Sequence, residues 1–289
     1  MPRLIAIIAA AWLFAGPTHA QTADPEPVIA AERAFAADAL TMGVDRAFLK
    51  WAMPGAVLIA GGSPQPVEDL FDEGAVFDPA TRPLVWWPNW AGIAASGDLG
   101  FTTGGVEVNG RRTGHYFTIW QRQADGTWRW VYDGGVPSSA ADVPGPESEL
   151  QILATSTVAP SSAEAALGEL RAVEAVLAAA AAGDQKAAHL SLLAPDGRLY
   201  VGDLPPAIGQ AAFPAALDAW PKSFDLSPPL GSGASAAGDL GWTYGRALWK
   251  DGDANGSGYY VHLWQKRETG WALAFAKLIV DPPAPPAPG

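Results

Sequence analysis

The chain repeats itself, and that repeat limits its fold more than any other feature. Ser96-Gly97-Asp98-Leu99-Gly100-Phe101-Thr102-Thr103-Gly104 is answered by Ala237-Gly238-Asp239-Leu240-Gly241-Trp242-Thr243-Tyr244-Gly245. Gly114-His115-Tyr116-Phe117-Thr118-Ile119-Trp120-Gln121 is answered by Gly258-Tyr259-Tyr260-Val261-His262-Leu263-Trp264-Gln265. Asp125-Gly126-Thr127-Trp128 is answered by Glu268-Thr269-Gly270-Trp271, and the offset stays within 141 to 144 residues throughout. Two long copies imply two domains; a solenoid needs shorter units and at least about three of them. The copies are assigned to residues 26–136 and 163–280. A linker rich in Pro, Ser and Ala spans 137–162, with a short ordered stretch expected at Leu150 to Leu153, and a Pro-rich tail follows at 281–289.

Each copy reads as helix first and sheet last, an α+β order. Helices are expected over Pro27 to Leu40 and Arg46 to Trp51 in copy one, and over Ala163 to Ala182, ended by Gly183, in copy two. A short strand follows, Ala56 to Ala60 or Arg198 to Val201. A Pro-rich helical segment comes next, Val67 to Phe71 or Ala207 to Trp220. Three closing strands are then expected, with turns at Gly97-Asp98, Asn109-Gly110 and Asp125-Gly126 and their counterparts. Strands joined only by such turns pair as an antiparallel meander.

The first twenty residues carry one charge, Arg3, an apolar run from Leu4 to Ala15, a Gly16-Pro17 break and Thr18-His19-Ala20. That is the grammar of a secretory signal peptide cleaved after Ala20. The run is short of the roughly 20 residues a span needs. A periplasmic or extracellular protein with no membrane attachment after processing is expected. The chain has no cysteine, which removes disulfides and thiolate chemistry from consideration. Cleavage would remove one of the 18 basic residues and leave 30 acidic ones, a net charge of −13. Such a surface repels nucleic acid and anionic lipid.

The Gly97 to Gly104 block, Tyr116-Phe117-Thr118-Ile119-Trp120 and Gly126-Thr127-Trp128-Arg129-Trp130-Val131-Tyr132-Asp133 together resemble the SnoaL-like, nuclear transport factor 2-like superfamily, in its secreted branch of unknown function. The resemblance covers residues 28–136 well and 164–279 through their match to copy one. It implies two tandem cone-shaped domains, each with helices packed on a curved antiparallel sheet around a pocket. Members of the superfamily include isomerases, dehydratases and cyclases as well as binding modules, so the fold carries no activity with it. Domains of this kind often pair through the outer sheet face. The bulky groups on both faces of the His115 to Trp120 strand therefore imply that the two copies cover each other as a pseudo-dimer.

Strand alternation would place Trp128, Trp130 and Tyr132 on one face, toward the cone interior. Trp86, Trp87 and Trp90 would line its mouth. These rings, with His115 and Asp133, make up the candidate ligand site: Trp86, Trp87, Trp90, His115, Trp130, Tyr132 and Asp133. The plain alternative is that the rings are core. Copy two lacks most of them, so a small apolar or aromatic ligand is expected in copy one alone. The second reading is a cofactor-independent isomerase, dehydratase or hydrolase in which a His115–Asp133 or Tyr132–Asp38 pair serves as general acid and base. No residue pattern points to a cofactor, and neither copy has the histidine pair of a metal site. The repeated Asp98 and Asp239 are read as turn residues that bond their own backbone.

Overall fold

The computed structural model describes residues 23–59, 61–78, 80, 84–252 and 254–282. The expected signal peptide, Ala60 and residues 283–289 of the tail lie outside the described residues. No helix among the described residues is long and apolar enough to cross a membrane.

Copy one begins with helix α1 (Glu26–Met42), whose early Pro27 suits a first helical turn. Val28, Ile29, Ala31, Phe35 and Ala39 form its buried stripe, and Glu32 lies within it. Gly43, at φ 94°, turns the chain into α2 (Val44–Trp51). Strands β1 (Ala52–Leu58) and β2 (Gln65–Pro66) and the single turn α3 (Val67–Leu70) follow. Four long strands then complete the copy: β3 (Leu84–Ile93), β4 (Leu99–Val108), β5 (Arg111–Arg122) and β6 (Trp128–Pro137). The expectation of three strands is corrected here, because three turns divide four strands. The first of them was hidden by Pro88. That proline sits beside an irregularity in the β3–β4 ladder, where a missing N–H is tolerated. The sheet runs β2-β1-β6-β5-β4-β3-β7, where β7 (Gln151–Ile152) is the ordered stretch of the linker, parallel to β3. The meander is antiparallel, and β1 joins β6 in parallel, giving a mixed sheet.

Copy two is built the same way. Helix α4 (Ala163–Leu192) is capped by the Ser162 side chain, which accepts from the Ala165 N–H. The helix was expected to stop at Gly183. Instead it breaks at Asp184 (φ −150°, ψ 95°) and resumes to Leu192. The expected helix over Ala207 to Trp220 is a short strand and a short helix. In order come β8 (Leu193–Tyr200), β9 (Ala207–Ile208), α5 (Phe213–Leu217), β10 (Asp225–Leu226), β11 (Gly231–Ala234), β12 (Leu240–Asp251), β13 (Ala254–Arg267) and β14 (Gly270–Val280). As β1 pairs with β6, so β8 pairs in parallel with β14.

Both copies carry a bulge at the equivalent place. The register slips between Ile119 and Trp120 opposite Val131, and between Leu263 and Trp264 opposite Ala274. An extra residue reverses the side-chain alternation beyond it. Trp128 and Trp130 therefore face their own helices while Tyr132 faces the other way, so the expected aromatic row is broken.

Each copy has its own core between helices and inner sheet face. Phe35, Phe48, Trp120 and Trp130 lie in the first, and Leu170, Leu177, Phe213 and Trp264 in the second. A third apolar cluster lies between the two outer sheet faces. There Phe117 stacks on Phe275 at 4.0 Å, and Tyr132 lies 6.0 Å from Tyr244. The Gly-Asp turns exchange bonds across this contact. One oxygen of each aspartate accepts from its own turn, Ser96 to Asp98 and Ser235 to Asp239. The other accepts from the opposite copy: Ala236 N–H to Asp98 at 3.0 Å and Ala95 N–H to Asp239 at 2.8 Å. The purely local role expected of these aspartates is thus only half of what they do.

Candidate functional site

A cavity of about 270 Å³ lies inside copy one. Phe48 of α2, Trp86 of β3 and Val106 of β4 give it apolar walls, and Leu58 and Phe71 close it further. Its polar groups come from two strands, Tyr116 on β5 and Asp133 on β6. Asp133 reaches this inner face only because the bulge at Val131 turned Tyr132 outward.

The Thr118 hydroxyl donates to Asp133 Oδ2 at 2.5 Å. Burial pushes the Asp133 carboxyl up to about 6, against the Thr118 hydrogen bond and the positive charge of Lys277. The Tyr116 hydroxyl is buried and sits close to that of Thr102 without completing a hydrogen bond to it. Burial first, and the charges of Glu32 and Asp133 next, hold its phenol neutral. At this end the cavity thus has one carboxyl among apolar walls, and the unpartnered Tyr116 hydroxyl lies out of solvent reach toward Thr102 and Glu32.

Behind these groups Glu32 is fully buried on α1. It accepts from Trp86 Nε1 at 2.5 Å, from Trp120 Nε1 at 3.1 Å and from the Thr102 hydroxyl. Burial drives its carboxyl up to about 7. Asp133 adds to the rise, and the three hydrogen bonds oppose it. Copy two repeats the arrangement: Glu174 accepts from Thr243 at 2.5 Å and from Trp264 Nε1 at 2.8 Å, and His262 Nδ1 lies 2.9 Å away. Burial works to raise Glu174 as well, but His262 and the hydrogen bonds outweigh it and hold the carboxyl below its ordinary value. Where copy one has Thr118 and its cavity, copy two places His262 against Tyr260 (4.6 Å) and His189 (6.0 Å). Sequence reading missed both glutamates. Their signal was present: Glu32 and Glu174 are 142 residues apart, within the offset of the repeat, and each interrupts an apolar helix face.

The seven residues expected to form one site do not converge. Trp86 and Asp133 line the cavity. Trp130 is in the core behind it, its ring 5.9 Å from Phe48. Trp87 points to the outer side of the sheet, donates to the Pro144 carbonyl at 3.1 Å and lies under the Arg112 guanidinium. Trp90 is turned to the contact between copies by the slip at Asn89; it packs on Phe101 under Arg198. Tyr132 joins it there. His115 also belongs to the outer face, with its ring 5.1 Å from Tyr200 and neither nitrogen hydrogen-bonded. Burial, with the Arg198 charge, lowers its pKa to about 4. His115 and Asp133 therefore occupy opposite faces of one sheet and cannot share a substrate. Asp38, the other proposed partner, is taken by Lys50 and Trp51, each at 2.6 Å.

No family model and no curated protein matches the chain. Solved structures do. A nuclear transport factor 2-like protein of unknown function from Shewanella oneidensis MR-1 is 11% identical over 39% of this chain and 97% of its own, with a TM-score of 0.33. Another, from Pseudomonas putida KT2440, is 16% identical over 43% and 90%, with a TM-score of 0.36. A ketosteroid isomerase-like protein from Erwinia carotovora atroseptica is 15% identical over 40% and 97%, with a TM-score of 0.34. Each is similar to this chain along a stretch about the length of one copy.

Proposed function

We propose that copy one is a binding module for a small, largely apolar molecule with one hydrogen-bonding end, in a protein that works in the periplasm or outside the cell. The observation that carries this reading is the apolar cavity with Asp133 on its wall. A pocket near the lower end of the small-molecule range, with few polar groups, suits a ligand of one or two rings. The signal-peptide-like pattern of residues 1–20 supports the location.

2-Naphthol, a neutral two-ring alcohol, is a suitable probe, read by quenching of tryptophan fluorescence. Asp133→Ala should weaken its binding about 10- to 100-fold, the worth of one hydrogen bond to a charged group. Leu84 also lines the cavity, and Leu84→Trp should fill it and abolish binding while the circular dichroism spectrum is kept. Binding unaffected by both variants would place the probe elsewhere and reject the reading.

The enzymatic reading, an isomerase, dehydratase or hydrolase without a cofactor, is favoured by one feature, the Asp133 carboxyl that titrates near 6 inside an apolar pocket. Turnover of a bound ligand that is lost in Asp133→Asn with affinity retained would establish it.

A further inference from the structure

Lys277 lies on β14 of copy two and has no exposed surface. Its ammonium donates to the Gly134 carbonyl of copy one at 2.7 Å and lies 5.2 Å from the Tyr132 ring centroid and 5.8 Å from that of Phe117. Among the described residues no carboxylate stands within salt-bridge distance of it. Burial drives an isolated ammonium toward its neutral form and lowers the Lys277 pKa to about 7, so holding the charge takes an opposite one nearby. Asp133, the residue preceding Gly134 in sequence, supplies it.

We propose that Lys277 of copy two and Asp133 of copy one form a charge couple across the contact, making Lys277 a positioning residue for the cavity. The couple keeps Asp133 as a carboxylate at the cavity's polar end. Burial alone pushes both groups toward neutrality, and each charge pulls the other back. The remaining groups around Asp133 are Glu32 from α1, Tyr116 and Thr118 from β5, and Tyr132 on its own strand. Glu32 opposes a second negative charge, and the two phenols stay neutral. Among the described residues Lys277 is thus the one cation acting on Asp133.

The repeat explains why there is one lysine and not two. Gly134 and Lys277 are equivalent residues, 143 apart, so the copies meet at their own counterparts. A Cβ at Gly134 would come 2.2 Å from the Ile59 carbonyl oxygen, so copy one cannot carry a side chain there. Two lysines would also bury two like charges together. The cavity in copy one therefore receives its cation from copy two. For the ligand class, the inference rests on the binding reading above. A carboxylate on the wall of an apolar cavity selects an alcohol, phenol or amine, which can donate to Asp133, and rejects an acid.

Infrared difference spectra of the full chain test the couple without any ligand. The protonated-carboxyl band of Asp133 is identified by its loss in Asp133→Asn. In the wild type it should appear as pH falls through about 6. In Lys277→Met it should persist about 1 to 3 pH units higher, the usual effect of one close opposite charge. An unchanged midpoint, or a wild-type Asp133 still protonated at pH 8, overturns the proposal. Should Lys277→Met fail to fold, nitrogen-15 spectra of labelled lysine in Asp133→Asn give the reciprocal reading. Lys277 should then lose its proton at lower pH than in the wild type, and no change refutes the couple. 2-Naphthol binding is measured separately. Its absence with the infrared shift intact rejects the binding reading and leaves the couple standing.

Discussion

Glu32→Gln isolates the most consequential buried charge in copy one. Glu32 has no exposed surface, and its carboxyl is raised from 4.5 to about 7 in the folded protein. A group raised on folding contributes stability that is complete below the unfolded value. That stability is lost as pH climbs through the folded one. At about 1.4 kcal/mol per pH unit, the interval from 4.5 to 7 corresponds to a loss of about 3 kcal/mol by pH 8. Glutamine cannot ionise; its one oxygen can still accept from Trp120 and Thr102, while its NH2 then faces the Trp86 N–H, a loss that does not vary with pH. Whatever constant offset the amide sets, the variant should gain about 3 kcal/mol on the wild type between pH 4.5 and pH 8. Urea unfolding across this range is the assay, and the difference between the two proteins is the readout. The raw profile also contains Asp133, which acts in the same sense, and His115 and His189, which act in the opposite one. Glu174→Gln is the control. Its carboxyl is held low by His262, so the wild type gains stability above the ordinary carboxylate range and loses it as pH falls; the substitution should cost stability at neutral pH. A constant difference between Glu32→Gln and wild type at all pH values would refute the reasoning.

Removing the Asp239 side chain as Asp239→Ala strands the Ala95 N–H and should cost about 1–3 kcal/mol by chemical denaturation. Asp98→Ala added to it should cost less than its own single effect, because the two turns brace each other. His115→Phe should flatten the acid limb of the stability profile, since a histidine lowered to about 4 gives stability above pH 6.5 that is lost as pH falls toward 4. Trp87→Ala, on the outer side of the sheet, should leave 2-naphthol affinity within twofold of wild type, whereas the cavity-wall change Leu84→Trp removes it.

Much of the architecture can be read from the residues in order. The repeat divides the chain, and glycine-bearing turns such as Asn109-Gly110 mark the meander because few other residues accept their backbone angles. The split of the His115 to Trp120 strand into two apolar faces also follows from alternation alone. Which residues face the cavity does not. Alternation is a parity argument, and one inserted residue reverses it. The bulge at Val131 sends Tyr132 outward and brings Asp133 in; the slip at Asn89 does the same to Trp90. Bulges leave no composition signal here, because their positions depend on how the two paired strands curve around the helices. The Glu32 cluster draws on α1, β3, β4 and β5, and Lys277 meets Gly134 across 143 residues. Their geometry is set by packing two sheets face to face, so only the tertiary structure could bring these groups together.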